Sequence, residues 1–287
     1  MYKIQISYFQ KRIFVSVLIF LSLILSGCDW MIYISSPAIE HNPIDYGVTP
    51  QEVWFKNDSN DSLHGWYFRR TDLPQSEAKA VFLYFHGNGG NVTTHFPHLV
   101  WLLSHGYDFF IFDYRGFGKS LGTPSPEHTV EDGKAALRYL LSQSPRVPWV
   151  VFAQSLGSVI GLKTMIDLRG EIQPTLIIVD SGFDSYRKIG EWLIDKYSLP
   201  KFFNFFLPTD EFAPGQDIKM LSPSPLLVIH GDRDSLVDYS FGVDLYNLGA
   251  EPKQFWQIPG GEHTDVFLRN DDKYRASLLK LLSTLGI

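Results

Sequence analysis

The stretch Trp149-Val150-Val151-Phe152-Ala153-Gln154-Ser155-Leu156-Gly157 decides the fold, because it combines a strand, a sharp turn and the start of a helix. Its first four residues are β-branched or aromatic, which is typical of a buried strand. The segment that follows, Ser158 to Leu162, has helix character. Small residues at positions 153 and 157 allow the strand and the helix to approach closely. The pattern predicts that Ser155 stands on a tight strand-to-helix turn.

Apolar runs alternate with helix-period segments on both sides of this stretch. The runs lie at about 80–85, 107–113, 149–153, 175–180, 225–230 and 254–258. Upstream, Val53–Lys56 and His64–Phe68 flank a polar turn and predict an antiparallel hairpin. Buried runs separated by amphipathic helices indicate a mostly parallel sheet covered on both faces. We therefore expect an α/β fold with its functional crevice at the carboxyl ends of the strands.

Two motifs downstream of Ser155 carry acid and base side chains at predicted strand ends. One apolar strand ends in the run His230-Gly231-Asp232-Arg233-Asp234, and a later strand leads into Pro259-Gly260-Gly261-Glu262-His263. No histidine other than His263 follows Asp234. Asp232 competes with Asp234 for the role of the acid, although a turn or a backbone hydrogen bond is its expected role.

Two glycine-rich motifs lie upstream, each directly after an apolar strand. The first is His86-Gly87-Asn88-Gly89-Gly90-Asn91, and the second is Asp113-Tyr114-Arg115-Gly116-Phe117-Gly118-Lys119-Ser120. Glycines in the first motif let backbone N–H groups approach a substrate closely.

In order and spacing, these five motifs resemble those of the α/β-hydrolase superfamily, over roughly residues 50–285. The serine motif of that superfamily is usually G-x-S-x-G, and here Ala153 replaces the first glycine. This departure adds one methyl group to a site that needs small residues. In such hydrolases the turn at 113–120 is mostly structural.

The resemblance implies a role for five residues. Ser155 would be the nucleophile, His263 the base, and Asp234 the acid that orients the base, in the chain order expected of this fold. An oxyanion hole needs two preorganised N–H donors. The resemblance assigns one to the residue after the nucleophile, Leu156, and one to the upstream glycine loop, at Asn88.

The implied reaction is acyl transfer to water on an ester or thioester, without a metal or an organic cofactor. Serine at the turn disfavours the dehalogenase and epoxide hydrolase branches, which use aspartate. The chain is similar to the small membrane-associated serine hydrolases that include lipid esterases and protein depalmitoylases, and to the serine-aminopeptidase-like group. Two alternatives stay open. One is a catalytically inactive, lipid-tethered binding module; the other is a peptidase or aminopeptidase that holds the substrate amine with an acid from Glu191, Asp195, Asp210 and Glu211.

The largest insertion, at about 184–221, predicts a small helical cap between two strands. It is rich in aromatic residues: Trp192, Tyr197, Phe202, Phe203, Phe205, Phe206 and Phe212. We expect most of these side chains to pack the cap onto the domain, with two or three facing an acyl pocket.

The amino-terminal segment resembles a bacterial lipoprotein signal. Basic residues precede an apolar run from Ile13 to Leu25, 13 residues that are too few to span a bilayer as a helix. Ser26-Gly27-Cys28 follows, and Cys28 is the only cysteine. We expect a signal at 1–27, lipidation of Cys28, a tether at 28–50 and the hydrolase domain at 51–287. Asp29 favours retention at the inner membrane, on its periplasmic face, if the source is a Gram-negative bacterium.

Composition and spacing exclude several other functions. A formal net charge of −6 gives no basic footprint for nucleic acid. Asp113 and Val92 stand where a Walker A loop and a dinucleotide fingerprint require glycine. His95 and His98 have the i, i+3 spacing of metal ligands on a helix, but no cysteine or set of carboxylates accompanies them.

Overall fold

The computed structural model describes residues 32–69, 78–144, 146–269 and 272–287. Within these residues, eight strands form one sheet in the order β1-β2-β4-β3-β5-β6-β7-β8. The strands are β1 (Gln51–Lys56), β2 (Ser62–Phe68), β3 (Val81–Phe85), β4 (Asp108–Phe112), β5 (Trp149–Gln154), β6 (Leu176–Asp180), β7 (Leu226–Gly231) and β8 (Lys253–Ile258). β2 pairs antiparallel with β1 and β4, and all other pairings are parallel. The predicted α/β fold with a mostly parallel sheet and an initial hairpin is confirmed.

Helices connect the parallel strands. They are α1 (Val92–His95), α2 (Pro126–Gln143), α3 (Leu156–Leu168), α4 (Tyr186–Lys196), α5 (Tyr239–Leu248) and α6 (Lys273–Thr284), with 3₁₀ turns at Pro43–Tyr46, Phe96–His98, Val100–His105, Lys201–Phe206 and Gly215–Leu221. The sequence signals the start of α2 and of α4, because Ser125 and Ser185 each accept a hydrogen bond from a backbone N–H of the first turn.

The sheet divides the core into two layers. In β3, Val81, Leu83 and Phe85 face one layer and Phe82 and Tyr84 face the other, and all five are buried. The first layer contains side chains of α2, α3 and α5, and the second contains those of the 96–105 segment and α6. Burial of such a side chain contributes about 1.5–3 kcal/mol, so strands covered on both faces make a stiff platform.

The topology brings the predicted site motifs to one edge. The carboxyl ends of β3, β5, β7 and β8 lead into the glycine loop at 86–91, Ser155, Asp234 and the loop of His263, respectively. Parallel strands place their carboxyl ends at the same edge of a sheet. We call this the carboxyl edge.

The segment between β6 and β7, predicted to be a cap, contains α4 and two 3₁₀ turns. Cys28 and the proposed signal lie outside the described residues. In the part of the chain that the structure describes, none of the helices combines the length and the apolar character that a bilayer crossing requires.

Candidate active site

Ser155 occupies a strained backbone position between β5 and α3. Its φ of 51° and ψ of −119° lie in a region that residues other than glycine rarely adopt. The Ser155 N–H donates to the carbonyl of Asp180 on the neighbouring strand, at 2.9 Å. The turn therefore holds the Ser155 hydroxyl at the carboxyl edge, at the amino end of a helix.

Close approach of β3 and α3 explains the small residues around Ser155. A Cβ at Gly157 would lie 2.1 Å from the carbonyl oxygen of Phe85, so no side chain fits there. Ala153 is fully buried, and a Cβ at Gly161 would lie 3.3 Å from its methyl group. Because glycine stands at 161, the extra methyl of Ala153 is accommodated where the usual motif has glycine.

The structure brings Ser155, His263 and Asp234 together in one hydrogen-bonded line. The distance from Ser155 Oγ to His263 Nε2 is 3.0 Å, and that from His263 Nδ1 to Asp234 Oδ2 is 2.7 Å. With a neutral imidazole, the Ser155 hydroxyl donates to Nε2 and the Nδ1–H donates to the carboxylate. The imidazole is partly exposed, whereas Ser155 is 8% exposed and the Asp234 carboxylate is shielded from solvent. This line can move a proton from Ser155 toward His263.

Asp234 is held as a carboxylate by its surroundings. Burial alone would raise its pKa, but hydrogen bonds from His230 and His263 and from the Val237 N–H hold that pKa well below the ordinary range. The second oxygen accepts from the Leu236 and Val237 N–H groups, both at 2.9 Å. Such a carboxylate stays ionised and can stabilise an imidazolium.

Asp232, the competing acid, makes different contacts. Its carboxylate oxygens accept from Gln257 Nε2 at 3.1 Å and from the Gly260 N–H at 2.7 Å. These bonds brace the loop that carries His263. Asp232 therefore occupies the turn-stabilising position that the sequence predicts for it.

The two predicted oxyanion donors differ in their surroundings. Leu156 is the first residue of α3, where a helix leaves backbone N–H groups without intrahelical acceptors. Within the described residues, no hydrogen bond uses the Leu156 or the Asn88 backbone N–H. The side chain of Asn88 is committed elsewhere, because its Oδ1 accepts from the Ile34 N–H at 2.7 Å and its Nδ2 donates to the Ile32 carbonyl at 2.5 Å.

Residues 32–41, which we call the strap, run along the glycine loop, and no pattern in the sequence indicates this. Besides the two bonds to Asn88, the Gly89 N–H donates to the Ile34 carbonyl at 2.9 Å. Further along, Asn91 Nδ2 donates to the Ser36 and Ala38 carbonyls at 2.7 and 2.8 Å. These bonds tie the beginning of the described chain to the loop that holds a candidate oxyanion donor.

Tyr33 fixes the strap to the rest of the domain. Its side chain is buried, and its hydroxyl lies 3.3 Å from Thr129 Oγ1 on α2 and 3.0 Å from the Tyr186 hydroxyl on α4. The strap therefore joins the glycine loop, α2 and the start of the cap segment.

Buried polar side chains around Asp113 contact the glycine loop and the residue that follows it. Asp113 accepts from the Val92 N–H at 2.9 Å and contacts His64 Nδ1 at 3.0 Å. Burial lowers the pKa of His86, which lies 3.7 Å from the same carboxylate. Arg115, in the same turn, pairs with the buried Asp132 at 2.8 Å. The motif at 113–120 thus binds structural partners.

His95 and His98, weighed as metal ligands, are engaged by protein atoms. The ring nitrogens of His95 lie 3.3 Å from Gln154 Oε1 and 3.2 Å from the Gly89 carbonyl, and His98 Nδ1 donates to the His95 carbonyl at 2.8 Å. Burial lowers the pKa of His98 to about 4, so its ring is neutral at neutral pH. In the described ranges, no group of three or more His, Cys, Asp or Glu side chains is arranged to hold a metal ion.

Asp180 is a buried acid beside the site that sequence reasoning missed. Burial raises its pKa to about 6, although a hydrogen bond from Gln154 and the nearby His263 act in the opposite direction. Its Oδ2 accepts from Gln154 Nε2 at 3.1 Å, and its Oδ1 accepts from the Ser181 hydroxyl at 3.3 Å. The only signal in the sequence is a carboxylate at the end of an apolar run, and in the sequence it marks only where that strand ends.

The cap aromatics divide between exposed and partly buried positions. Tyr197, Phe202 and Phe205 are 56%, 55% and 85% exposed, respectively, whereas Trp192, Phe203, Phe206 and Phe212 are partly buried, so three of the seven do not pack onto the domain. They lie beyond the end of α4, in a segment whose 3₁₀ turn has no buried residue. Trp192 does pack inward, against Phe241 of α5, with ring centroids 6.0 Å apart.

Comparison with known proteins places this geometry in a family. A family model described as serine aminopeptidase, S33 (Hydrolase_4), matches residues 76–223. The chain is 32% identical to protein YfhR of Escherichia coli K12 over 281 residues, which are 94% of this chain and 95% of that protein. It is also 32% identical to lysophosphatidylserine lipase ABHD12 of Mus musculus over 222 residues, 72% of this chain and 53% of that lipase.

Solved structures share the fold at low sequence identity. The Pyrococcus furiosus esterase Pf2001 superposes with a TM-score of 0.68 at 19% identity, covering 88% of this chain and 97% of that chain. A carboxyl esterase from Bacillus coagulans gives a TM-score of 0.61 at 16% identity, covering 83% of this chain and 98% of that one.

Proposed function

The chain belongs to the S33 serine aminopeptidase family of α/β-hydrolases, and on that premise we propose that it hydrolyses carboxylic ester or thioester bonds with Ser155 as nucleophile. The observation that carries the proposal is the unbroken line from Ser155 Oγ through His263 to Asp234, with distances of 3.0 and 2.7 Å. A serine that donates to an oriented imidazole is activated for attack on a carbonyl carbon.

The reaction follows from this arrangement in two halves. Ser155 Oγ attacks the carbonyl carbon while His263 Nε2 takes the hydroxyl proton, and Asp234 stabilises the resulting imidazolium. His263 then protonates the leaving alcohol or thiol, which leaves an acyl group on Ser155. A water molecule, deprotonated by His263, attacks the acyl-enzyme and restores Ser155.

Backbone donors stabilise the charge that develops on the substrate oxygen. The Leu156 N–H at the start of α3 and the Asn88 N–H in the glycine loop are the two candidates. Removal of one such donor typically costs about 2.7–4 kcal/mol in activation free energy. The hydrogen bonds from the strap to the Asn88 side chain support this role, because they fix the loop before substrate arrives.

Three of the four cap carboxylates considered for an aminopeptidase, all except the exposed Glu211, have partners within the cap, which favours an esterase. An aminopeptidase of this type needs an acid that is free to hold the substrate amine. Asp210 accepts from the Ser185 hydroxyl and the Arg187 N–H, Glu191 pairs with Arg187, and Asp195 pairs with Lys201. The names of the similar lipase and esterases point the same way.

We further propose that the mature protein is membrane-associated through lipidation of Cys28, on the periplasmic face of the inner membrane in a Gram-negative cell. The lipobox-like sequence before Cys28 supports this. Full-length chain expressed in a lipoprotein-processing bacterium with radioactive palmitate should carry label and sediment with membranes. Equal labelling of a Cys28→Ala chain would refute the lipidation proposal. An unlabelled wild type retained in membranes would indicate an uncleaved signal anchor.

A fluorophosphonate probe tests the nucleophile directly. The full-length protein should react covalently, and Ser155→Ala should abolish both labelling and hydrolysis of short p-nitrophenyl esters. Ser235→Ala is the matched control, because Ser235 is an exposed serine beside Asp234 and should keep both activities. A wild type that does not label would favour the inactive binding module. Undiminished turnover in Ser155→Ala would refute the assignment of the nucleophile.

A further inference from the structure

An exposed apolar surface lies on the segment that follows α4. Tyr197, Leu199, Phe202 and Phe205 are 56%, 42%, 55% and 85% exposed, respectively. We call these four side chains the cap patch. The 3₁₀ turn at Lys201–Phe206 contains four phenylalanines and buries none of its residues. A cluster of exposed large apolar side chains of this kind marks a surface that contacts a membrane, a ligand or another protein.

The cap patch lies on the side of the molecule that carries the candidate active site. Its segment begins at the carboxyl end of β6, next to Ser155 at the end of β5. The amine of Lys196, at the end of α4, hydrogen-bonds the Ser235 carbonyl beside Asp234. The patch therefore belongs to the carboxyl edge of the sheet.

The strap brings the beginning of the described chain to the same edge. Ile32 is the first described residue, and its carbonyl accepts from Asn88 in the glycine loop. Ile34 and Ile39 of the strap are 61% and 74% exposed. Cys28 precedes Ile32 by four residues, so an extended chain separates the two by at most roughly 14 Å.

A second, longer limit applies if the apolar run itself holds the chain at the membrane. Leu25, at the end of the apolar run, precedes Ile32 by seven residues, or at most roughly 25 Å. Whether the chain is held by lipid on Cys28 or by the apolar run itself, the bilayer surface lies within this distance of the glycine loop. This attachment keeps the edge of the molecule that carries the glycine loop close to the bilayer.

We propose that the cap patch inserts into the interfacial layer of a phospholipid bilayer and seats the carboxyl edge on the membrane. This inference rests on the membrane attachment proposed above. The patch is apolar, and of the two lysines beside it Lys201 is paired with Asp195 and the amine of Lys196 hydrogen-bonds the Ser235 carbonyl. Contact with the bilayer is therefore hydrophobic and insensitive to salt, unlike that of a polybasic surface.

The test uses the full-length chain in vesicles of phosphatidylcholine and phosphatidylglycerol, with an environment-sensitive NBD fluorophore at Phe205→Cys. The unsubstituted chain, treated with the same reagent, measures any fluorophore on Cys28, and its signal is subtracted. Lipids that carry a spin-label quencher high in the acyl chain report contact with the interface. The matched variant is Met220→Cys, because Met220 is 40% exposed and borders a cleft with Arg169 and Pro174 at the opposite edge of the sheet. We expect about threefold stronger quenching at 205 than at 220, unchanged by added salt.

Equal quenching at the two positions would overturn the proposal, as would a wild type that does not float with vesicles. An unquenched signal at 205 that changes with protein density would indicate an interface between two copies and would also overturn it. In a second variant, Phe202→Ser with Phe205→Ser should lower hydrolysis of a vesicle-embedded ester about tenfold and leave that of a water-soluble ester unchanged. Because the fluorescence readout needs no catalysis, its outcome is distinguishable from failure of the proposed hydrolase activity.

Discussion

Substitution Asp180→Asn is expected to stabilise the protein at neutral pH and to leave its stability unchanged in acid. The native pKa of this buried carboxyl is about 6, against about 3.9 in an unfolded chain. Below the unfolded value both states are protonated, so the contribution of Asp180 to stability is fully present. It is lost as the pH rises through about 6, because the unfolded state ionises more readily than the folded one. The difference of about 2 between the native and unfolded pKa values corresponds to about 3 kcal/mol in the free energy of unfolding.

An amide is suited to replace the acid at this position. The amide oxygen that the substitution introduces keeps the hydrogen bond from Gln154, and the new NH₂ group faces the Ser181 hydroxyl, which already accepts from the Thr264 N–H. The variant therefore loses the ionisation penalty, and of the two side-chain hydrogen bonds to Asp180 it gives up only the long one that the Ser181 hydroxyl donates at 3.3 Å.

The assay is urea unfolding of the full-length chain in detergent, followed by tryptophan fluorescence between pH 4 and pH 8. The quantity to plot is the difference in unfolding free energy between Asp180→Asn and wild type, because contributions of other groups cancel in it. It should rise by about 2–3 kcal/mol between the two ends of the pH range. A difference that stays flat with pH would refute the account of a desolvated carboxyl at 180.

Asp167→Asn provides a control of opposite sign. Burial acts to raise the pKa of Asp167, but hydrogen bonds from Lys134 and Lys163 outweigh it and lower that pKa. The contribution of this carboxylate is present above the unfolded value and lost as the pH falls through the folded one. The Asn variant should therefore lose stability relative to wild type as the pH rises.

Three other changes test the site. Gly157→Ala should prevent correct folding of the turn, since the new Cβ would lie 2.1 Å from the Phe85 carbonyl oxygen. Gly170→Ala, whose new Cβ would have no atom within 4 Å, should keep the wild-type melting temperature. Thermal unfolding followed by circular dichroism compares the two variants. Asn88→Ala keeps the backbone donor but removes the two hydrogen bonds between the Asn88 side chain and the strap, so kcat on a soluble ester should fall about tenfold at unchanged KM. An unchanged kcat would mean that the strap contributes only packing. Asp234→Asn should lower kcat about 10⁴-fold in steady-state assays while fluorescence melts show a folded protein, because the amide holds the wrong tautomer; wild-type kcat there would shift the acid's role to another carboxylate.

Local chemistry made most of the fold predictable. Strands β3 to β7 coincide with runs of β-branched and aromatic residues, because parallel strands buried on both faces must be apolar throughout. The assignment of Ser155, Asp234 and His263 followed from the resemblance of the motifs after β5, β7 and β8 to those of α/β-hydrolases, and the structure brings these side chains within hydrogen-bonding distance along one line.

The strap and the cap patch could not be predicted in this way. Strap contacts are made largely by backbone groups, to residues 53–56 positions away, and no side-chain periodicity marks them. The sequence does not show which cap aromatics are exposed, because phenylalanine usually signals burial and the exposure of Phe205 depends on how the 3₁₀ turn sits on α4. Asp180 was missed because desolvation of a carboxyl is a property of the assembled layers around it.

The contacts of Tyr33 set an order in which parts of the molecule can assemble during synthesis. Its hydroxyl partners, Thr129 and Tyr186, follow it by 96 and 153 residues. In a chain that emerges amino end first, the Tyr33 anchor of the strap therefore waits for Tyr186 for roughly 8–30 s of synthesis at about 5–20 residues per second. The strap is fixed to the start of the cap segment only after the first turn of α4 has emerged. A nascent chain halted before that point carries Ser155 and the glycine loop, with the strap not yet fixed to α4.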